Sequence, residues 1–167
     1  SDKAVRPTNI MGATKRIAEK IVYFFSNKSE TIFSIVRFGN VINSSGSVIP
    51  IFRSQIKNNK KLTVTSKKVE RYFMTISEAV GLVIESCILS RGGETFFLNM
   101  GKSIKIFDLA KKMIKISDPN TNISDKYTES RIKIIGLKKG EKLYEELSIN
   151  NSTITNSPNK NIYIDDS

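Results

Sequence analysis

Between Asn9 and Arg37 the chain changes from one kind of element to another, and that change limits its fold more than any other feature. Ile10, Ile17, Ile21 and Phe24 recur at helical spacing from Asn9 to about Phe25, with Arg16 and Lys20 between them. The pattern predicts an amphipathic helix whose apolar face packs on a sheet while its charged face meets water. Ser26-Asn27-Lys28-Ser29 ends it, and Thr31-Ile32-Phe33-Ser34-Ile35-Val36-Arg37 follows, rich in β-branched and aromatic side chains, as expected of a buried strand. A helix followed by a strand, after an extended start, argues for α/β layers. The strand runs directly into Phe38-Gly39-Asn40. Ligands in open α/β sheets sit beyond the carboxyl ends of strands, so a substrate would be met at this tip; a strand-end turn with Asn40 in a left-handed conformation fits the same residues.

The remaining elements follow in order. A flexible loop over Ser44 to Ser47 precedes a helix from Val48 to Lys57 with Val48, Ile51, Phe52 and Ile56 on one face, and Lys61 to Thr65 reads as a short strand. Arg71 to Phe73 is expected to form another, and Thr75-Ile76-Ser77-Glu78 has capping-box spacing before a helix to about Leu89. Cys87 falls in step with Val80, Val83 and Ile84, which predicts a buried thiol. Arg91-Gly92-Gly93 turns the chain into a strand from Glu94 to Leu98, and Ile106, Leu109, Ala110, Met113 and Ile114 form the stripe of a helix ending near Ile116. Ser117 to Ser130 is polar and reads as a loop or disordered insertion. Arg131 to Ile135 alternates like a strand; beyond Leu147 a polar run to Lys160 reads as a tail, with Ile162-Tyr163-Ile164 as an edge strand.

Composition narrows the function. With 167 residues, 39% of them hydrophobic, the chain can bury one compact core. It has no apolar run near the roughly 20 residues of a membrane span and no signal-peptide pattern. A single cysteine rules out an internal disulfide framework, and the absence of histidine removes His-based catalysis and most zinc sites. Cytoplasmic, metal-free chemistry is expected. The net charge of +11 comes from dispersed lysine pairs without interleaved aromatics, so no nucleic-acid partner is expected. A solvated surface accounts for most of it, with a positive field that attracts an anionic nucleotide sugar as a second consequence.

The plausible acid-base chemistry gathers at the start. If Thr8 or Asn9 caps the first helix, Met11 and Lys15 lie four apart on one face, and Asp2 and Lys3 sit just before it. A carboxylate and two amines could converge on one pocket, although a basic amphipathic helix behind a solvated Asp-Lys pair satisfies the same spacing.

The block Ser1-Asp2-Lys3-Ala4-Val5-x-Pro7-Thr8-Asn9-x-Met11-Gly12-Ala13-Thr14-Lys15-Arg16, with positions 6 and 10 unspecified, resembles the active-site block of the UDP-N-acetylglucosamine 4,6-dehydratases, which are extended short-chain dehydrogenase/reductases. Arg37 to Val41, Ser44 to Pro50, Arg71 to Thr75, Gly92 to Glu94, Asn99 to Gly101, Asp108 to Met113 and Gly136 to Leu147 are similar to that family's later blocks, in the same order. The likeness is greatest to the configuration-retaining bacillosamine-pathway branch. It implies the C-terminal part of a Rossmann-type fold with a small α/β substrate-binding region: residues 1–45 ending the dinucleotide domain, 46–147 mainly binding the nucleotide sugar, and 148–167 a polar tail.

The resemblance also implies roles. Asp2 would be the acid at the departing hydroxyl, Lys3 the base at C5 of the hexose, and Lys15 the residue holding the nicotinamide ribose of NAD or NADP, with Phe38 and Gly39 near the nicotinamide. Asn40 and Arg71 would contact the diphosphate; for Arg71 an exposed ion pair with Glu70 or Glu78 is the alternative. Val48, Thr63 and Thr65 would bracket the uridine, Glu141 would hold its ribose hydroxyls, and Lys138 stands where the commoner pattern has arginine, keeping charge but not the bidentate fork. Met11 replaces the superfamily's tyrosine and cannot take a proton, a substitution that one dehydratase branch shares; Ser1 could relay the proton instead. No Gly-x-Gly-x-x-Gly occurs, so an N-terminal dinucleotide-binding half is expected outside these residues and the chain alone is expected to be inactive. The implied parent is homo-oligomeric and cytoplasmic, free or anchored at the inner membrane. A nucleotide-sugar epimerase and a non-catalytic sugar-nucleotide or RNA-binding remnant are the alternatives.

Overall fold

The computed structural model describes residues 1–44, 46–118, 124–149 and 153–165. A 3-10 turn at Asp2–Ala4 opens the chain. The helices are α1 (Ile10–Ser26), α2 (Val48–Lys57), α3 (Ile76–Leu89), α4 (Ile106–Ser117) and α5 (Asp125–Ser130). The strands are β1 (Ile35–Arg37), β2 (Asn40–Val41), β3 (Leu62–Val64), β4 (Glu70–Arg71), β5 (Phe73–Met74), β6 (Thr95–Leu98), β7 (Ile104–Lys105), β8 (Ile132–Ile134), β9 (Ile154–Asn156) and β10 (Ile162–Asp165). They fall into two compact units, one of Ser1–Gly39, Met74–Gly101 and Glu145–Ser167, the other of Asn40–Phe73 and Lys102–Tyr144.

The first unit is built on a four-stranded sheet of order β1-β6-β10-β9. β1 runs parallel to β6, with Ile35 opposite Thr95 and Arg37 opposite Phe97, and β10 runs antiparallel to both β6 and β9. Phe96, Leu98 and Ile162 are buried here, and Phe97 stacks on Tyr163 at 5.1 Å. The C-terminal stretch therefore departs from the expected tail: it supplies β9 and β10, and Ile162-Tyr163-Ile164 lies inside the sheet instead of at its edge. Ile162 is fully buried there, while Tyr163 and Ile164 are partly buried.

Helices α1 and α3 pack the other way round from expectation. Asn9 caps α1, its side chain accepting from the Gly12 N–H at 2.8 Å, as the cap rule predicts. The buried positions of α1 are Gly12 and Glu19, however, and Ile10, Ile17, Ile21 and Phe24 are exposed. The reason is Arg37: its guanidinium, buried in β1, draws the Glu19 face of the helix onto the sheet. In α3 the capping box of Thr75 and Glu78 is present in both directions, but Ala79 and Ser86 are buried while Val80, Ile84 and Cys87 are exposed. A helix this uniformly apolar carries little information about which face turns inward.

The second unit has its own core of Phe52, Leu62, Val64, Val69, Ile106, Phe107, Ala110, Ile114 and Ile132. The α4 stripe lies where its spacing predicts, with Leu109 and Met113 packed alongside. β3 and β8 pair in parallel, Leu62 opposite Ile132, and β4 pairs antiparallel with β7. Burying a side chain the size of Phe52 contributes about 2–3 kcal/mol, so this cluster gives β3 a firm seat. The polar stretch after Ser117 is a helix over its second part, α5, capped by the Ser124 hydroxyl on the Tyr127 N–H. Pro119 to Ile123 lie outside the described residues, as does Ser45 in the expected Ser44–Ser47 loop.

Candidate functional site

In the first unit the catalytic candidates sit on a turn at the carboxyl end of β1. The Asp2 N–H donates to the Phe38 carbonyl at 3.4 Å and the Ser1 nitrogen to the Val36 carbonyl at 3.3 Å, which lays the turn along the strand. Asp2 is buried, and the Lys3 ammonium donates to both of its carboxylate oxygens at 3.2 Å. The Ser1 hydroxyl donates to the same carboxylate at 3.4 Å. Ser1, Asp2 and Lys3 are thus brought together as a cluster of hydroxyl, carboxylate and amine.

Met11 and Lys15 are exposed, one turn apart on α1. Asp2 makes its side-chain hydrogen bonds with Ser1 and Lys3, and among the described residues none joins it to Lys15. Phe38 and Gly39 are half-buried at the strand end.

One residue of this turn escaped the sequence reading. A Cβ on Gly12 would lie 2.7 Å from the Lys3 carbonyl oxygen and 3.0 Å from Pro7 Cβ. The first turn of α1 can approach the Asp2–Lys3 turn only because position 12 has no side chain. The available signal was a glycine early in a helical run, a placement that weakens the helix unless close packing requires it.

The second unit gathers a different set. Glu141 accepts from the Thr65 hydroxyl at 2.7 Å and the Lys138 backbone N–H at 3.0 Å, and Arg71 Nη2 lies 3.5 Å from the same carboxylate. Gly140, at φ 75°, supplies the left-handed residue that returns Glu141 to this cluster, a conformation glycine adopts without a Cβ clash. The expected alternative partners of Arg71 do not hold it by their carboxylates: Nη1 donates to the backbone carbonyls of Glu70 and Leu143, at 2.8 and 3.3 Å.

Thr63 lies on the face of β3 opposite the buried Leu62 and Val64, and Thr65 follows just past the strand. Gln55, which the sequence did not single out, grips Thr63 twice, donating to its hydroxyl at 2.8 Å and accepting from its N–H at 3.1 Å. Val48 packs against the hydrophobic core. Asn40 begins β2 and is not in a left-handed conformation; its backbone and side-chain N–H groups donate to the Tyr72 carbonyl at 3.0 and 3.3 Å. Among the described residues no group of histidine, cysteine, aspartate and glutamate is arranged to hold a metal, and no helix is long and apolar enough to cross a membrane.

Two sets of polar groups therefore exist: a hydroxyl–carboxylate–amine cluster on a strand-end turn, and a carboxylate–guanidinium–hydroxyl cluster around Glu141. Comparison with known proteins gives the family and the fold. The capsular polysaccharide biosynthesis protein CapD of Staphylococcus aureus is 50% identical over 148 residues, covering 88% of this chain and 24% of CapD. The crystal structure of Pen from Bacillus thuringiensis superposes with a TM-score of 0.82 at 41% identity, over 98% of this chain and 50% of Pen. A dTDP-glucose 4,6-dehydratase from Bacillus anthracis, in complex with NAD, shares the fold at a TM-score of 0.67 and 12% identity, over 80% of this chain and 42% of that one. The chain spans from a quarter to half the length of these proteins, and its fold is the mixed α/β architecture of the C-terminal part of extended Rossmann-type short-chain dehydrogenase/reductases. The profile of the family described as polysaccharide biosynthesis protein matches residues 1–166, and the chain belongs to that family.

Proposed function

We propose that the full-length protein is a UDP-N-acetylglucosamine 4,6-dehydratase using NAD or NADP, and that this chain supplies its acid-base turn and much of its nucleotide-sugar region. The observation that carries the reading is the Asp2–Lys3 pair in contact at 3.2 Å, set in a block where methionine replaces the expected tyrosine. Elimination across C5 and C6 needs one group to take a proton and another to give one. A hydrogen-bonded carboxylate and amine become that pair when a single proton passes from Lys3 to Asp2.

The nicotinamide cofactor, when bound, would supply reversible hydride transfer to and from the hexose. Oxidation at C4 makes the C5 proton acidic. Lys3, neutral, removes that proton; Asp2, protonated, gives its proton to the C6 hydroxyl, which leaves as water. With hydride supplied at C6, Lys3 would return its proton to C5, so the net change is loss of one water. Met11 cannot receive the C4 hydroxyl proton, and Ser1, 3.4 Å from the Asp2 carboxylate, is the group able to pass it on.

The residues present fit the nicotinamide end of such a cofactor. Lys15 is exposed and has no hydrogen bond or ion pair among the described residues, which suits an amine that grips ribose hydroxyls, and Phe38 and Gly39 stand at the strand end. No glycine-rich phosphate turn occurs among the 167 residues, so the pyrophosphate would be held by sequence outside them. For the substrate, Arg71, Lys138 and Asn40 would take the diphosphate, Glu141 the ribose hydroxyls, and Thr63 and Thr65 with the Val48 backbone the uridine. The expected homo-oligomer belongs to the same reading.

Proton NMR of the full-length protein with UDP-N-acetylglucosamine and NAD+ in heavy water tests it. A new C6 methyl signal from a 4-keto-6-deoxy sugar is expected, with retained configuration at C5. Inversion at C5 would keep the dehydratase and discard the retaining branch. An altered sugar without a methyl signal would make the protein an epimerase, and no turnover by a folded, NAD-loaded protein would leave a binding remnant.

A further inference from the structure

Arg6 stands between the catalytic turn and α1 in an uncomfortable conformation. Its φ is 40°, in the left-handed region that long side chains avoid, and it precedes Pro7, whose ring favours extended backbone in the residue before it. Something must hold it there. Arg6 Nη1 donates to Glu146 at 3.0 Å and Nη2 to the Ile149 carbonyl at 2.7 Å. The segment that receives them is pinned independently, because the Leu147 carbonyl accepts from Arg37 Nη1 at 3.3 Å. A guanidinium fork thus fastens the bend at Arg6 to a strap, Glu146 to Ile149, that is itself tied to the sheet.

The bend determines where the acid-base pair lies. On one side of it are the 3-10 turn and the fully buried Ala4 and Val5; on the other are Pro7 and the start of α1, whose Gly12 meets the Lys3 carbonyl. If the bend relaxes toward the extended conformation that Pro7 favours, the Asp2–Lys3 turn shifts relative to α1. Stability is a poor reason for the contact: the side chains of Arg6 and Glu146 are 60% and 39% exposed, and exposed ion pairs contribute little.

We propose that Arg6 is a positioning residue for the Asp2–Lys3 pair, acting through the Glu146–Ile149 strap. The proposal rests on the dehydratase reading for its catalytic consequence, and on geometry alone for its structural one.

The test uses the full-length protein with Arg6→Ala and Arg6→Lys. Arg6→Ala is expected to lower kcat about 10- to 100-fold, as a displacement near 1 Å does at a reacting centre. KM for UDP-N-acetylglucosamine should move less than about 3-fold and the thermal midpoint should hold, the pattern of lost transition-state positioning. Arg6→Lys, able to reach Glu146, should recover most of the rate. Hydrogen exchange reads the geometry separately: protection of the Ala4 and Val5 amides, which donate to Ser1 and Asp2 carbonyls at 3.1 and 3.2 Å, should fall in Arg6→Ala and return in Arg6→Lys. Unchanged kcat with unchanged exchange overturns the proposal, as does a loss of kcat, KM and midpoint together. If the unaltered protein forms no product the dehydratase reading falls, and the exchange result still decides whether Arg6 holds the turn.

Discussion

Two arginines, one in each unit, make opposite use of the same chemistry. Arg37 is 2% exposed; its Nε and Nη2 donate to Glu19 at 2.9 Å each and its Nη1 to Asp165 at 2.9 Å. Arg71 is 16% exposed and lies 3.5 Å from Glu141, a carboxylate already shared with Thr65 and the Lys138 N–H. The first arrangement is closed: two carboxylates from α1 and β10, with the Leu147 carbonyl beside them, hold a guanidinium on β1, and the short bonds to the carboxylates fix the three elements together. The second is loose: a phosphate oxygen could take the place of a carboxylate held at that distance without stranding a buried charge. Burial and distance, not residue type, separate the two pairs.

The largest expected effect breaks the closed network. Arg37→Ala leaves Glu19 and Asp165 buried without their shared partner and should cost about 3–5 kcal/mol, read as a lowered urea midpoint of the full-length protein. Replacing the whole set, Arg37→Met with Glu19→Leu and Asp165→Leu, should return most of that loss, since apolar groups of similar volume need no partner. If Arg37→Ala unfolds no more easily than the unaltered protein, the network is not what holds α1 to the sheet.

Arg71 should respond in the reverse sense. Arg71→Ala is expected to weaken UDP binding about 10- to 100-fold, the range of one charge-assisted hydrogen bond, while the urea midpoint moves far less than in Arg37→Ala. Arg71→Lys should fall between, keeping the charge and losing the fork. Isothermal titration with UDP separates the outcomes; equal affinity in all three proteins would remove Arg71 from the diphosphate site.

The contrast also marks what the sequence makes legible. The α4 stripe and the Thr75–Glu78 capping box are local patterns, and both are found where spacing places them. The partner of Arg71 is not local: Glu141 lies 70 residues away, and nothing at Arg71 distinguishes it from the nearer Glu70 and Glu78. The α1 face failed for a related reason. Ile10, Ile17, Ile21 and Phe24 show that the helix is amphipathic, but Arg37 and its need for Glu19 decide which face meets this sheet, and that pairing spans 18 residues. Likewise Ile162-Tyr163-Ile164 reads as a strand from composition, while its interior position depends on pairing with β6 across the chain. At the candidate site, Asp2 and Lys3 are readable as neighbours; the glycine and the strap that fix their setting emerge only in three dimensions.

The smallest expected effect comes from a feature that belongs to neither arginine and so sharpens the comparison as a control. Thr75→Ala removes the cap of α3, in which the Thr75 hydroxyl accepts from the Glu78 N–H at 3.2 Å and the Glu78 carboxylate accepts from the Thr75 N–H at 2.7 Å. A cap of this kind is worth about 1 kcal/mol, and UDP affinity should not change. The Thr75 backbone N–H, and then its hydroxyl, hold the Glu78 carboxyl below its ordinary value. A carboxyl whose folded value is depressed stabilises above its unfolded value, near 4.3, and loses that contribution as pH falls through the folded one. The gap between the unaltered protein and Thr75→Ala should therefore be full at neutral pH and narrow below about pH 4. The backbone N–H of residue 75 reaches Glu78 in both proteins, so a gap constant down to pH 3 would mean that the bond from the Thr75 hydroxyl to the Glu78 carboxylate contributes nothing to the cap.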